Sequence, residues 1–166
     1  MKPSKLILSL TLIYLLPAAM AQDTLQISAA KVRQAPPGLK VTAAYLSIHN
    51  PTAQDLTLVS LQSPAADKVE IHESVNHGDM VSMEHRPRLR IPAHSNVELN
   101  PNGLHLMLMG LKQTLKVDET ISLTLHFEKH PPQHITLVVT DMRGDQTHKR
   151  DSRQDHSHDR HEHGHH

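Results

Sequence analysis

The apolar and polar positions between residues 25 and 140 form short apolar runs separated by Pro, Gly, Asn and Asp. Runs of this length and spacing are typical of an all-β sandwich or barrel. No amphipathic helical period and no internal repeat interrupts them. The sequence therefore predicts ten strands, at residues 25–32, 41–49, 56–61, 69–73, 80–85, 89–91, 97–99, 104–109, 121–127 and 135–139.

Alternation within these runs indicates which side chains share a face, because successive side chains of a strand point to opposite sides of the sheet. The eighth run alternates three leucines with His105, Met107 and Met109. The fourth run places His72 on the side opposite its Val and Ile residues. If the aliphatic faces form the core, His72, His105 and Met107 lie on outward faces, where they would make a shallow site.

The first residues have the character of an export signal. Two lysines precede an apolar run at residues 6–16, and the small-residue sequence Ala-Met-Ala follows at 19–21. This order is that of a secretory signal peptide, and the run is shorter than the ~20 apolar residues that a spanning helix needs. We predict a signal peptide at 1–21 and one domain at 22–141, located in the periplasm with no stable membrane insertion.

The composition changes after Asp141. Residues 142–166 are polar and charged, and we predict a disordered tail because they cannot bury enough apolar surface to fold. His-rich tracts bind metals. A purification tag is the alternative explanation, but the histidines are interleaved with Asp, Arg, Ser and Glu. The tail holds seven of the sixteen histidines: His148, His156, His158, His161, His163, His165 and His166.

Composition excludes several classes of function. The chain has no cysteine, so neither disulfides nor thiolate ligands are available. Without Lys2 and Lys5, 15 of the 17 basic residues remain against 17 acidic ones. A nucleic-acid partner is not expected, because the remaining chain has only Tyr45 and Phe127 as aromatic residues and no basic excess. No Ser-His-Asp or paired-carboxylate pattern points to an enzyme.

Two imidazoles and two thioethers form the most specific chemical pattern in the chain. His72, Met83, His105 and Met107 follow one another with the spacing His-x10-Met-x21-His-x-Met. Thioether and imidazole ligands suit copper, and thioethers favour Cu(I). All four ligands are neutral and do not offset the second charge of Cu(II). A blue-copper electron-transfer site would need a Cys thiolate, which is absent.

This spacing resembles the signature of the periplasmic copper chaperones called PCu(A)C. The surrounding sequences, such as Val69-Glu70-Ile71-His72-Glu73 and the run from His105 to Leu111, are similar too. The resemblance covers about residues 25–140. It implies a cupredoxin-like Greek-key β-sandwich or barrel that binds one Cu(I) through the four residues. It also implies delivery to the binuclear copper site of cytochrome c oxidase, alongside Sco-like thioredoxin-fold proteins.

Other residues near the pattern have more than one interpretation. Met80 and Met109 are auxiliary ligands, part of a soft docking surface, or packing residues. His85 is a further auxiliary candidate, although solvated surface is the preferred interpretation for it and for His77. Glu70 and Glu73 flank His72, and either could orient its ring or remain solvated; we prefer the solvated state. His49, His94, His126, His130 and His134 lack partner spacing and are interpreted as surface residues.

The leading hypothesis is therefore a copper chaperone that holds Cu(I) at the core and Cu(II) with help from the tail. Buffering of copper, zinc or nickel, or copper tolerance, is the first alternative, and a copper redox enzyme is the second. A monomer and a copper-bridged oligomer are both compatible with the sequence.

Overall fold

The structure is a computed structural model that describes residues 24–78 and 80–141. Ten strands account for the regular structure of these residues, which contain no helix. No helix in this part of the chain is therefore long and apolar enough to cross a membrane. The strands are β1 (Gln26–Arg33), β2 (Val41–Asn50), β3 (Leu56–Gln62), β4 (Ala66–Asn76), β5 (Val81–His85), β6 (Leu89–Ile91), β7 (Ser95–Leu99), β8 (Leu104–Leu111), β9 (Thr120–Phe127) and β10 (Gln133–Thr140).

The ten predicted strands are all present, and their bounds differ from the predicted ones by up to three residues. The largest extension is in β4, which the apolar pattern limits to 69–73. Its pairing continues at both ends through segments that lack apolar alternation, from Ala66 opposite Leu111 to Asn76 opposite Val81. Backbone hydrogen bonding does not depend on apolar side chains, so alternation underestimates the length of such a strand.

Seven strands close into a barrel in the order β4-β8-β2-β1-β10-β9-β3, with β3 returning to β4. The pair β1–β10 is parallel and the other pairs are antiparallel. The barrel interior is aliphatic. Fully buried side chains include Leu106 and Leu108 of β8 and Leu123 and Leu125 of β9. The all-β prediction is confirmed.

Three further strands extend the barrel where its strands separate. β3 and β4 share a single registered pair, Leu61 with Val69. Beyond it, β4 pairs with β5 and β3 pairs with β6. The first half of β2 pairs with β8, and its second half pairs with β7 on the same edge. The separation of β4 from β3 makes β4 the central strand of a β5-β4-β8 array, and this array carries the predicted ligands.

The predicted signal peptide falls within residues 1–23 and the predicted tail within residues 142–166. Both lie outside the described residues. The proposed division of the chain into three segments stays a prediction.

Candidate metal site

Three imidazoles form a row across the β5-β4-β8 array. His72 on β4 is the registered partner of His105 on β8 and of His85 on β5. Directly opposed residues of antiparallel strands project from the same face. The ring centroid of His72 lies 6.2 Å from that of His105 and 5.7 Å from that of His85. His72 is thus the centre of a three-histidine cluster.

The two thioethers of the sequence pattern lie on the same face as these rings. Met107 is two residues beyond His105 on β8, and its partner on β4 is Glu70. Met83 is two residues before His85 on β5, and its partner is Ser74. Both are diagonal neighbours of His72, a position from which long side chains can meet across strands. The fold therefore brings His72, Met83, His105 and Met107 to one face.

The depth of this face differs from the prediction. The aliphatic residues of β8 do point into the core, so the predicted orientation is correct. His105, however, is only 3% exposed. Tyr45, itself buried, follows Ala44 on the adjacent strand β2, and Ala44 pairs with Leu106. Tyr45 therefore occupies the position beside His105 on the same face. The site is deep at β8 and open at β5, where Met83 is 64% exposed.

Glu70 determines which nitrogen of His72 is free. Its Oε2 lies 3.0 Å from His72 Nε2, and its Oε1 lies 2.5 Å from Lys68 Nζ. The Lys68 ammonium and then the His72 ring lower the pKa of Glu70 from 4.5 to about 2. An ionised carboxylate only accepts hydrogen bonds, so Nε2 donates and Nδ1 of the neutral ring carries the lone pair. That Nδ1 is buried and has no hydrogen-bond partner.

The interpretation of Glu70 as a solvated carboxylate is therefore wrong. Its side chain is 16% exposed, and it holds the His72 ring in place. The available sequence signal was the spacing: Glu70 is two residues before His72 on one strand, so the two side chains share a face. Glu73 behaves differently, because it accepts a hydrogen bond from Arg86 Nε at 2.6 Å and not from His72.

A backbone carbonyl orients His105. The oxygen of Gly103 lies 2.9 Å from His105 Nδ1. A carbonyl oxygen only accepts, so Nδ1 carries the hydrogen and Nε2 of the neutral ring carries the lone pair. Histidines that bind metals usually donate their other ring N–H to a carboxylate or a backbone carbonyl. His72 is held by the carboxylate of Glu70, and His105 is held by the carbonyl of Gly103. Sequence reasoning missed Gly103 because a carbonyl contact has no side-chain signal.

The spacing of the rings fits a shared ion. With a metal–nitrogen bond of about 2.0 Å, two imidazoles on one ion have centroids about 5 to 6 Å apart. The 6.2 Å between His72 and His105 is close to that range. In residues 24–78 and 80–141, no three His, Asp or Glu side chains are grouped so that they could hold one metal ion.

The remaining candidates lie in different places. Met80 is in the turn before β5, outside the strands that form the face. Met109 is on the face but opposite Lys68, two residues beyond Met107. His77 is nearest Glu84, at 4.0 Å. The side chain of His85 is 49% exposed, which agrees with its interpretation as solvated surface, and its ring centroid lies 5.7 Å from that of His72. The seven tail histidines lie outside the described residues.

A surface depression of about 760 Å³ lies elsewhere on the molecule. It is formed by residues 34–40 and 111–114 together with Asp141. None of the predicted ligands lines it. This depression is therefore separate from the candidate metal site on the face of the β5-β4-β8 array.

The amino-acid sequence matches the family described as "Putative lipoprotein LpqE-like" over residues 25–139. The chain belongs to the LpqE-like family. A relative named "Putative lipoprotein Lxx21020", from Leifsonia xyli subsp. xyli, is 36% identical over 123 residues. The match covers 74% of this LpqE-like chain and 73% of that relative.

Solved structures similar to this LpqE-like chain come from copper proteins. Apo-DR1885 of Deinococcus radiodurans is 30% identical with a TM-score of 0.57, covering 85% of this chain and 95% of that one. Its Cu(I) form is 34% identical with a TM-score of 0.59, covering 73% and 82%. The copper-bound PCuAC domain from PmoF2 is 20% identical with a TM-score of 0.62, covering 70% and 92%. The cupredoxin-like fold of PCuAC domains is confirmed.

Proposed function

We propose that this protein is a periplasmic copper chaperone that binds Cu(I) through His72, Met83, His105 and Met107. The observation that carries the proposal is the complementary orientation of the two partnered histidines. His72 has a buried Nδ1 with no hydrogen-bond partner, and its ring centroid lies 6.2 Å from that of His105, whose Nδ1 hydrogen bonds to the Gly103 carbonyl. Each ring thus has one nitrogen held and one available, on a face that also carries two thioethers.

The relatives support copper as the cargo and the cell envelope as the location. DR1885, about one-third identical to this chain, has been solved with Cu(I). The Leifsonia xyli relative is named a lipoprotein, as is the family. Proteins of that kind are exported. Together with the predicted signal peptide, this supports a periplasmic site of action.

The geometry suits exchange better than permanent retention. Neutral imidazoles and thioethers contribute no charge, and thioethers select the softer Cu(I). Glu70 lies on the same strand face and hydrogen bonds to His72, which orients the His72 ring. The buried His105 and the half-buried Met107 of β8 hold the ion, and the exposed Met83 gives a recipient access from the β5 side. We propose the binuclear copper site of cytochrome c oxidase as the destination, with Sco-like proteins as partners.

The test of the core site is a Cu(I) competition titration on ligand variants. We expect His105→Ala and Met107→Leu to weaken Cu(I) binding at least about 10-fold, because each removes one of four ligands. Met109→Leu is the matched control, since it removes a thioether from the same strand and face but two residues further along. His134→Ala controls for loss of an exposed strand histidine. Unchanged affinity in both ligand variants, with folding intact, would exclude this assignment.

We also propose that the tail histidines bind Cu(II), with help from core residues. Seven histidines begin seven residues after Asp141, where the described chain ends after β10. Imidazole suits Cu(II), and a tether raises the effective concentration of the tail at the domain. Replacing all seven by Gln in the full chain should abolish one Cu(II) equivalent and leave Cu(I) affinity unchanged. Retention of the full Cu(II) stoichiometry would contradict the proposal. Equal titration with zinc or nickel would favour general buffering.

A further inference from the structure

The β5 strand repeats, on the other side of His72, the ligand pair that β8 provides. β8 carries His105 and Met107 two residues apart, and β5 carries Met83 and His85 two residues apart. Both strands pair antiparallel to β4, and both histidines are registered partners of His72. The face therefore holds two His–Met pairs that flank one shared imidazole.

Exposure increases steadily from one side of this face to the other. His105 is 3% exposed. The side chain of His72 is 17% exposed and that of His85 is 49% exposed. Among the described strands, β5 is the last in the sheet order and pairs with β4 alone. The β5 pair is consequently the first that an ion or a partner meets when it approaches this face.

The ring of His85 is positioned for binding but not locked. Its centroid lies 5.7 Å from that of His72, within the range that two imidazoles on one ion require. Its Nε2 lies 3.8 Å from Glu70 Oε1, which is too long for a hydrogen bond. Glu70 nevertheless places one negative charge beside both rings. His85 can therefore rotate towards an ion while the carboxylate helps to retain that ion near the surface.

We propose that His85 joins His72 and Met83 in a solvent-side copper position, through which Cu(I) enters and leaves the deeper four-ligand position in which His105 and Met107 join His72 and Met83. This inference deepens the proposed function and rests on it. His72 contributes one lone pair, at Nδ1, and one lone pair binds one ion. The two positions are therefore alternatives for a single copper, which moves by exchanging ligands around His72.

The first experiment locates the ligands directly. One equivalent of Ag(I), a diamagnetic stand-in for Cu(I), is added to the full chain, and long-range proton–nitrogen NMR spectra follow each imidazole. We expect shifts of the ring nitrogens of His72, His105 and His85, and none for His134, an exposed histidine of β10. Shifts of His72 and His105 without His85 would overturn this inference and leave the proposed function intact. No shift of His72 or His105 would overturn the proposed function itself.

The second experiment tests whether His85 affects the rate of Cu(I) transfer more than it affects the Cu(I) affinity at equilibrium. We expect His85→Gln to slow transfer of Cu(I) to a chelator about 10-fold and to change the Cu(I) dissociation constant less than about 3-fold. His85→Met should restore the transfer rate, because a thioether can replace the imidazole for Cu(I). His134→Gln is the matched control. A wild-type rate in His85→Gln, or an affinity loss equal to that of His105→Ala, would contradict a separate solvent-side position.

Discussion

At the residue scale, His72 combines three features that a surface histidine does not share. Its Nε2 is bound by a carboxylate, its Nδ1 is buried without a partner, and its ring has an imidazole on either side. Leaving a buried polar atom unpaired costs about 1–3 kcal/mol. The fold tolerates this cost at the atom that we propose as a copper ligand.

Glu70 gives the sharpest prediction at this scale. Removing its carboxylate with Glu70→Ala should weaken Cu(I) binding about 10- to 100-fold, because groups that orient a metal-binding histidine typically contribute that much. Glu70→Gln should lose less, since an amide oxygen can still accept from His72 Nε2. The measurement is a Cu(I) competition titration on both variants.

The matched control for that prediction is Glu73→Ala. Glu73 is the residue next to His72 and on the same strand, but its carboxylate accepts from Arg86. The control variant should bind Cu(I) as the wild type does. Equal losses in Glu70→Ala and Glu73→Ala would mean that general loss of negative charge, and not orientation of His72, explains the effect.

At the scale of the strands, alternation was sufficient to assign faces. It correctly placed the aliphatic residues of β8 inward and its His and Met residues on the other side. It did not predict that His105 is buried, because that depends on what lies beside β8. The neighbouring position on β2 is occupied by Tyr45, and strand neighbours are not specified by the period of either strand.

The pairing of β4 shows the same division between local and non-local information. Ten short strands were predictable from apolar runs and turn residues. The register that makes His72 the partner of both His85 and His105 was not, because it depends on the pairing of β4 with the next strand and with β8, which lies more than thirty residues further along the chain. The role of His85 became visible only with this register, since its spacing to the other ligands is not distinctive in sequence.

At the scale of the whole molecule, closure of the barrel leaves β4 with β3 on one side for only part of its length. The remainder of that side is taken by β5. A barrel in which β3 and β4 paired along their full length would leave no place for β5 beside His72. The separation of β4 from β3 beyond the pair Leu61–Val69 is thus the architectural reason that the site reaches the surface.

Acid stability is a property of the whole fold that two carboxylates should influence. The pKa of Glu70 is lowered from 4.5 to about 2 by Lys68 and then by His72. The pKa of Asp55 is also lowered from 3.8, by the Ala93 backbone N–H and then by Arg90. In both cases the unfolded chain binds a proton at a higher pH than the folded chain. The resulting stabilisation is present above these ordinary values and is lost as the pH falls below them.

We therefore expect the unfolding free energy of the metal-free protein to decrease between about pH 5 and pH 2, as measured by urea unfolding. Glu70→Gln and Asp55→Asn should each flatten this decrease. Their effects should add, because the two carboxylates share no partner. A slope in Glu70→Gln identical to that of the wild type would show that the Lys68 and His72 contacts do not stabilise the fold.

The sequence by itself determined the strand content, the faces of the strands and the four copper-type ligands, since each of these depends on residue identity and on spacing along one strand. Tertiary structure alone decided which ligands meet, how deeply each is buried, and which ring nitrogens are free. Those properties arise from contacts that form only in the folded chain: β4 with β5 and β8, Tyr45 beside His105, and the Gly103 carbonyl with the His105 ring. No period along a single strand encodes such contacts.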